Sequence, residues 1–186
     1  RDHPPQENTY VTKVYQLSSA DVAVQYLKEL DAAGGGDLPE AVLKGLWDSL
    51  VEIKWRSPDE TAKNSEENQA EKELAKLVYK KVIIHVGDAP AHGKEFHEDN
   101  INDAFSNGCP SNISLKSLSD KMNELNVNYY FCRLNTSTDK MEALFRENFK
   151  NFEPLDLIDD NSKHADGEYE FIDEEDYEKM KDKYEI

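Results

Sequence analysis

Apolar residues recur along this chain at two periods, and together they predict an α/β fold. Residues 11–17 alternate and are rich in β-formers (Val11, Val14, Tyr15, Leu17), which predicts a strand. Ser18 and Ser19 can cap a helix that carries Val22, Tyr26, Leu27 and Leu30 at helical spacing, and the glycines at 34–36 break it. A longer amphipathic helix follows, with Val42, Leu43, Leu46, Trp47, Leu50 and Ile53 on one face. Residues 81–86 form a short β-branched run of the kind found in a sheet buried on both faces. Leu115, Leu118, Met122 and Leu125 make a 3–4 helical stripe, and residues 129–134 read as a second buried strand. Met141, Leu144, Phe145, Phe149 and Phe152 mark a last helix. Strands alternating with helices predict a mostly parallel sheet, yet three strands are few for such a layer. A strand in the middle of the sheet is therefore expected to be missing.

Two stretches lack this patterning. Residues 56–72 are rich in Ser, Glu, Asn and Lys, which predicts a surface excursion, mobile or loosely helical. From residue 153 to the end, fourteen acidic residues face four lysines, a net of −10 out of the chain's formal −17. This predicts a globular part over residues 1–152 and an acidic, disordered tail over 153–186, with Tyr169, Phe171 and Tyr177 as the anchors if it docks.

Charge and cysteine content narrow the function classes. A chain this acidic is a poor non-specific ligand for nucleic acids or anionic membranes, and no apolar run approaches the length of a spanning helix. Cys109 and Cys132 are too few for a disulfide framework or a cysteine zinc site, so two buried thiols in a reducing compartment are expected.

Chemistry in open parallel sheets sits beyond the carboxyl ends of the strands. Two segments carry polar groups there: the glycine loop that ends at Asp37, and Gly87-Asp88 after the strand at 81–86. The loop is no phosphate cradle, because Asp37 and Glu40 stand where a basic residue is needed, and no dinucleotide fingerprint follows a strand. An aspartyl-phosphate role for Asp88 lacks a second carboxylate two residues on. Two rim carboxylates suit a hard dication such as Mg²⁺. The alternatives are structural: Asp37 with Glu40 three residues on also reads as a helix N-cap, and Asp88 before Ala89-Pro90 as a turn former. His85, His92 and His97, at spacings of seven and five, match no common zinc pattern, and solvated loop histidines are expected at 92 and 97. No catalytic constellation stands out, so whether the chain is part of an enzyme stays open.

The segments Gly34-Gly35-Gly36-Asp37-Leu38-Pro39-Glu40 and Gly87-Asp88-Ala89-Pro90-Ala91-His92-Gly93 resemble the von Willebrand factor A-like domain, in the subgroup associated with alpha-type protein kinases. Arg1-Asp2-His3-Pro4-Pro5, Asn107-Gly108-Cys109-Pro110 and residues 129–141 are similar to further pieces of that pattern, so the resemblance covers about residues 1–152. It implies a doubly wound, mostly parallel sheet with helices on both faces, Rossmann-like, and a metal-ion-dependent adhesion site at its top. The family's second-loop ligand falls on Asp37 and its fourth-strand ligand on Asp88. The family's Asp-x-Ser-x-Ser run is nowhere in the chain. The resemblance therefore implies an N-terminally incomplete domain, whose first central strand and metal ligands precede Arg1. The function expected is a cytoplasmic protein-interaction module. It would bind Mg²⁺ (or Mn²⁺) through Asp37 and Asp88 and take an acidic group of a partner protein, with a linked alpha-kinase as its target. The alternatives are the non-catalytic front portion of such a serine/threonine kinase and a metal-free scaffold.

Overall fold

In the computed structural model of the chain, which describes residues 11–30, 36–57 and 80–156, three parallel strands lie side by side in chain order. They are β1 (Lys81–Gly87), β2 (Val127–Arg133) and β3 (Phe152–Asp156). Helix α3 (Leu115–Leu125) links β1 to β2, and α4 (Asp139–Asn148) links β2 to β3, giving two successive βαβ units. Ahead of them come α1 (Ala20–Lys28) and α2 (Val42–Val51). The architecture is α/β with a parallel sheet and is consistent with a doubly wound, Rossmann-like fold.

The stripes read from the sequence become the core. Leu43, Leu46 and Leu50 of α2, Leu118 and Met122 of α3, and Met141 and Phe145 of α4 form one buried cluster with Val127, Tyr129 and Phe131 of β2. Phe145 stacks on Phe149 at 4.7 Å between centroids and meets Tyr129 edge-on at 5.9 Å. Burying aromatics of this size dominates a small core, and such ring geometries add about 0.5–1.5 kcal/mol each. Helix α3 starts at a reciprocal Ser114–Ser117 capping box and stops at Asn126, whose left-handed backbone (φ 52°) ends the helix one residue before β2.

Several readings are corrected. The alternation at 11–17 makes no strand: this segment lies along α2, where Thr12 Oγ1 donates to the buried Asp48 carboxylate. Gln16 there donates to the Glu52 carbonyl and accepts from the Lys54 amide. The last helix ends at Asn148, Phe149 is already extended (φ −97°, ψ 124°), and Phe152 opens β3. That strand pairs with β2 and is outermost among the described residues, where it tolerates Pro154 because an edge strand can spare one N–H. The 81–86 run is not buried on both faces. Ile83 and His85 turn toward the core side, whereas Val82, Ile84 and Val86 stand 42%, 65% and 58% exposed. The core contains α2, α3 and α4 but none of α1, whose residues are all at least partly exposed.

The surface excursion and the acidic tail lie almost wholly outside the described residues, as do Gly34 and Gly35. Both cysteines are free, Cys132 buried and Cys109 half-buried. Among the described residues no helix is long and apolar enough to cross a membrane.

Candidate functional site

Three loops meet at the carboxyl ends of the strands, held together largely by backbone hydrogen bonds. The loop entering α2 is tied to the loop leaving β1 by a parallel bridge between Glu40 and Ala91. In it the Glu40 amide donates to the Pro90 carbonyl (2.8 Å) and the His92 amide to the Glu40 carbonyl (3.2 Å). The loop leaving β2 joins through Asn135 Nδ2 and Ser137 Oγ, which donate to the Asp88 carbonyl at 2.8 and 2.6 Å. The segments that carry Asp37 and Asp88 thus share one rim. Asp88 itself is exposed immediately past β1.

Asp37 does not cap α2. The N-cap position belongs to Ala41, and no side chain caps it. Instead Asp37 Oδ2 accepts the Ala104 amide at 2.6 Å, a bond spanning 67 residues. This is a correction of the capping alternative: the helix begins too late for Asp37 to reach its first amides, so the carboxylate serves the loop between β1 and α3.

That loop is organised by a residue the sequence reading passed over, Asp103. Its side chain is 1% exposed and accepts four hydrogen bonds. Oδ1 takes His92 Nδ1 at 2.9 Å and the Phe105 amide at 2.8 Å. Oδ2 takes the Gly93 amide at 2.7 Å and His97 Nε2 at 3.0 Å. Burial pushes the Asp103 pKa up, but the bonds from Gly93, His97, Phe105 and His92 outweigh it and hold the carboxyl at about 2. His92 and His97 are accordingly buried, each 2% exposed, and not solvated as expected. Five residues apart on an irregular loop, they show no periodicity that reveals their common partner. Lys140 Nζ closes the loop from α4 by donating to the His97 and Lys94 carbonyls at 2.7 and 3.1 Å. Gly93 (φ +111°) is required where its backbone passes Gly108, since a Cβ there would lie 3.2 Å from the Gly108 Cα.

Ligand atoms of Asp37, His92 and Asp103 lie within 4.8 Å of one another, a spacing that could hold a metal ion. Asp88 is not in this group. The oxygens of Asp37 and Asp88 fit a hard dication by donor chemistry, whereas His92 adds a nitrogen that suits borderline ions better. His85, also inside β1, belongs to the core side: its Nδ1 and Tyr129 Oη share a hydrogen bond of 2.6 Å. Burial lowers the His85 pKa to about 4 and raises that of the Tyr129 phenol well above its usual value.

No family model matches the chain. A curated protein does: over 122 residues the chain is 34% identical to "Alpha-protein kinase vwkA" of Dictyostelium discoideum. The chain is similar to one part of that kinase. The match takes in 65% of this chain but only 16% of the kinase, so the chain spans a small fraction of its relative.

Proposed function

We propose that this chain is a non-catalytic, cytoplasmic protein-interaction module of the von Willebrand factor A type, linked to an alpha-type protein kinase. Its rim would bind Mg²⁺ (or Mn²⁺) through Asp37 and Asp88, together with the family's remaining ligands. The observation that carries the reading is the Glu40–Ala91 bridge, which brings the Asp37 loop and the loop begun by Asp88 to the same end of the sheet. Further support comes from the outer edge of β1, which pairs with no strand among the described residues. The resemblance places a central strand upstream of Arg1, and this edge leaves a place for it to pair.

When bound, the dication supplies positive charge at an acidic rim and an open coordination position. The chain's own residues do the rest. Asn135 and Ser137 hold the backbone of the exposed Asp88, and the Ala104 amide fixes one oxygen of Asp37. A partner's Asp or Glu would then dock without facing bare like charge.

The test is thermal unfolding of a chain extended upstream through the first strand, with Mg²⁺ or EDTA. Mg²⁺ is expected to raise Tm, and Asp88→Ala to abolish the rise. Melting that ignores the ion in the extended chain would end the reading. A second reading, the front portion of a serine/threonine kinase, is favoured by the match to a protein named as an alpha-protein kinase. A reading frame that continues past Ile186 into a kinase domain would support it.

A further inference from the structure

We propose that the exposed face of the sheet is a docking surface for this chain's own acidic tail, taken by residues 173–184 through Tyr177, Met180 and Tyr184.

The surface follows from the register. Side chains of β1 alternate between the two faces, and the exposed Val82, Ile84 and Val86 stand on the side away from the buried cluster. Pairing sets Ile84 beside Tyr130 and Tyr130 beside Glu153, and it sets Val86 beside Cys132 and Cys132 beside Leu155. Leu155 is 41% exposed, and Leu134, just past β2, is 45% exposed. The cluster formed with α2, α3 and α4 includes none of these residues. The result is an apolar surface whose strand residues carry a single charge, Glu153. All-parallel sheets are ordinarily covered on both faces, and contiguous exposed apolar side chains mark an interaction site.

Reach, pattern and charge select the occupant. The chain leaves β3 at Asp156. Residues 157–172 can span up to about 50 Å when extended, several times the roughly 10 Å that separates β3 from β1 across the sheet. Residues 173–184 open with four consecutive acids, Asp173 to Asp176, and carry Lys179, Lys181 and Lys183 toward their end. That charge order suits a helix. Spacings of three and four put Tyr177, Met180 and Tyr184 on one face of it. Seven residues of helix cover about 10 Å, close to the roughly 13 Å from Val82 to Val86. A second copy is the weaker occupant, because each chain carries −17 and copies repel. The tail meets the same repulsion, but its tether offsets it by holding the segment at millimolar effective concentration.

The experiment is hydrogen exchange of the 186-residue chain, read by mass spectrometry at low and high salt and over a range of protein concentration. The amides of residues 173–184 should exchange roughly tenfold more slowly than an unstructured chain, the level of a segment that opens locally. High salt should keep or strengthen this protection, since the contact is apolar and the charges around it are of like sign. Ile84→Glu, at an exposed position, should fold and remove the protection. Met180→Glu, outside the folded core, should remove it too, and Lys179→Gln should leave it intact. Absence of protection in the folded chain would overturn the proposal, as would protection that survives Ile84→Glu or Met180→Glu. Protection that grows with protein concentration would assign the face to a second copy, and protection lost at high salt would assign the tail to a basic surface. Either result would overturn the proposal.

Discussion

Replacing Asp103 with Asn alters one atom, and the structure sets the size of the effect. Asn offers one oxygen with two lone pairs where the carboxylate accepts from four donors, and its NH₂ confronts two of them. Two buried donors lose their acceptor, at about 1–3 kcal/mol each, so a loss of about 2–6 kcal/mol is expected at pH 7. That is a large part of the stability of an ordinary domain. The pH dependence gives a second handle. The folded pKa of Asp103, about 2, lies below its ordinary 3.8. The unfolded chain therefore takes up the proton first as pH falls, and the stabilisation is complete above pH 3.8 and lost on the way down to 2. The shift corresponds to about 2 kcal/mol. Urea unfolding followed by fluorescence of Trp47 and Trp55 measures both quantities. At pH 7 the variant should unfold at clearly lower urea, and the gap should narrow by about 2 kcal/mol between pH 5 and pH 2. Two curves separated by less than about 0.5 kcal/mol at pH 7, the ordinary scatter of a surface substitution, would refute the reasoning. So would a gap that stays constant down to pH 2.

Two further outcomes follow from the sheet. His85 has its pKa lowered by burial from 6.5 to about 4, so the unfolded chain binds a proton that the folded one refuses between those values. Stability should therefore fall as pH drops from 6.5 to 4, by up to about 3 kcal/mol, and His85→Gln should flatten that part of the urea-midpoint profile while keeping a partner for Tyr129 Oη. Residues 84 and 145 test the two sides of the sheet: Phe145→Ala, fully buried, should cost about 3–5 kcal/mol. Ile84→Ala, at a residue 65% exposed, should cost less than about 1 kcal/mol, and a loss near 3 kcal/mol would mean that this face is packed as firmly as the core.

The parts of the fold legible in the sequence were those whose residues repeat within one element. The 3–4 stripes of α2 and α3 fall on the very side chains that enter the core, because one helix face meets one sheet face. The alternation at 11–17 misled because period two states only that a segment is extended. Pairing needs a neighbour, and here the neighbour is α2, reached through Thr12 and Gln16. Strand β3 was hidden by its composition, since Glu153 and Pro154 are poor strand formers and only the ladder to β2 makes them one. Asp37 was picked out by its place after a glycine loop. Asp103 was not: its importance arises from four donors spread over residues 92–105, and no local spacing encodes their convergence.

Acidity bears directly on what this rim can recruit. The chain carries a formal −17, which at a distance is screened within about 8 Å at physiological salt. At contact, where a partner's carboxylate would approach Asp37 or Asp88, screening no longer protects it. A dication at the rim would offset the two negative charges of Asp37 and Asp88, while the rest of the acidic surface still discourages nucleic acids and anionic membranes. The same charge that makes metal-free docking of an acidic group unfavourable would thus make the proposed metal-dependent docking selective. The hydrogen bonds around Asp103 matter to this scheme because they hold the loop between β1 and α3 in place by themselves, so that a cation bound at the rim would not also have to order it.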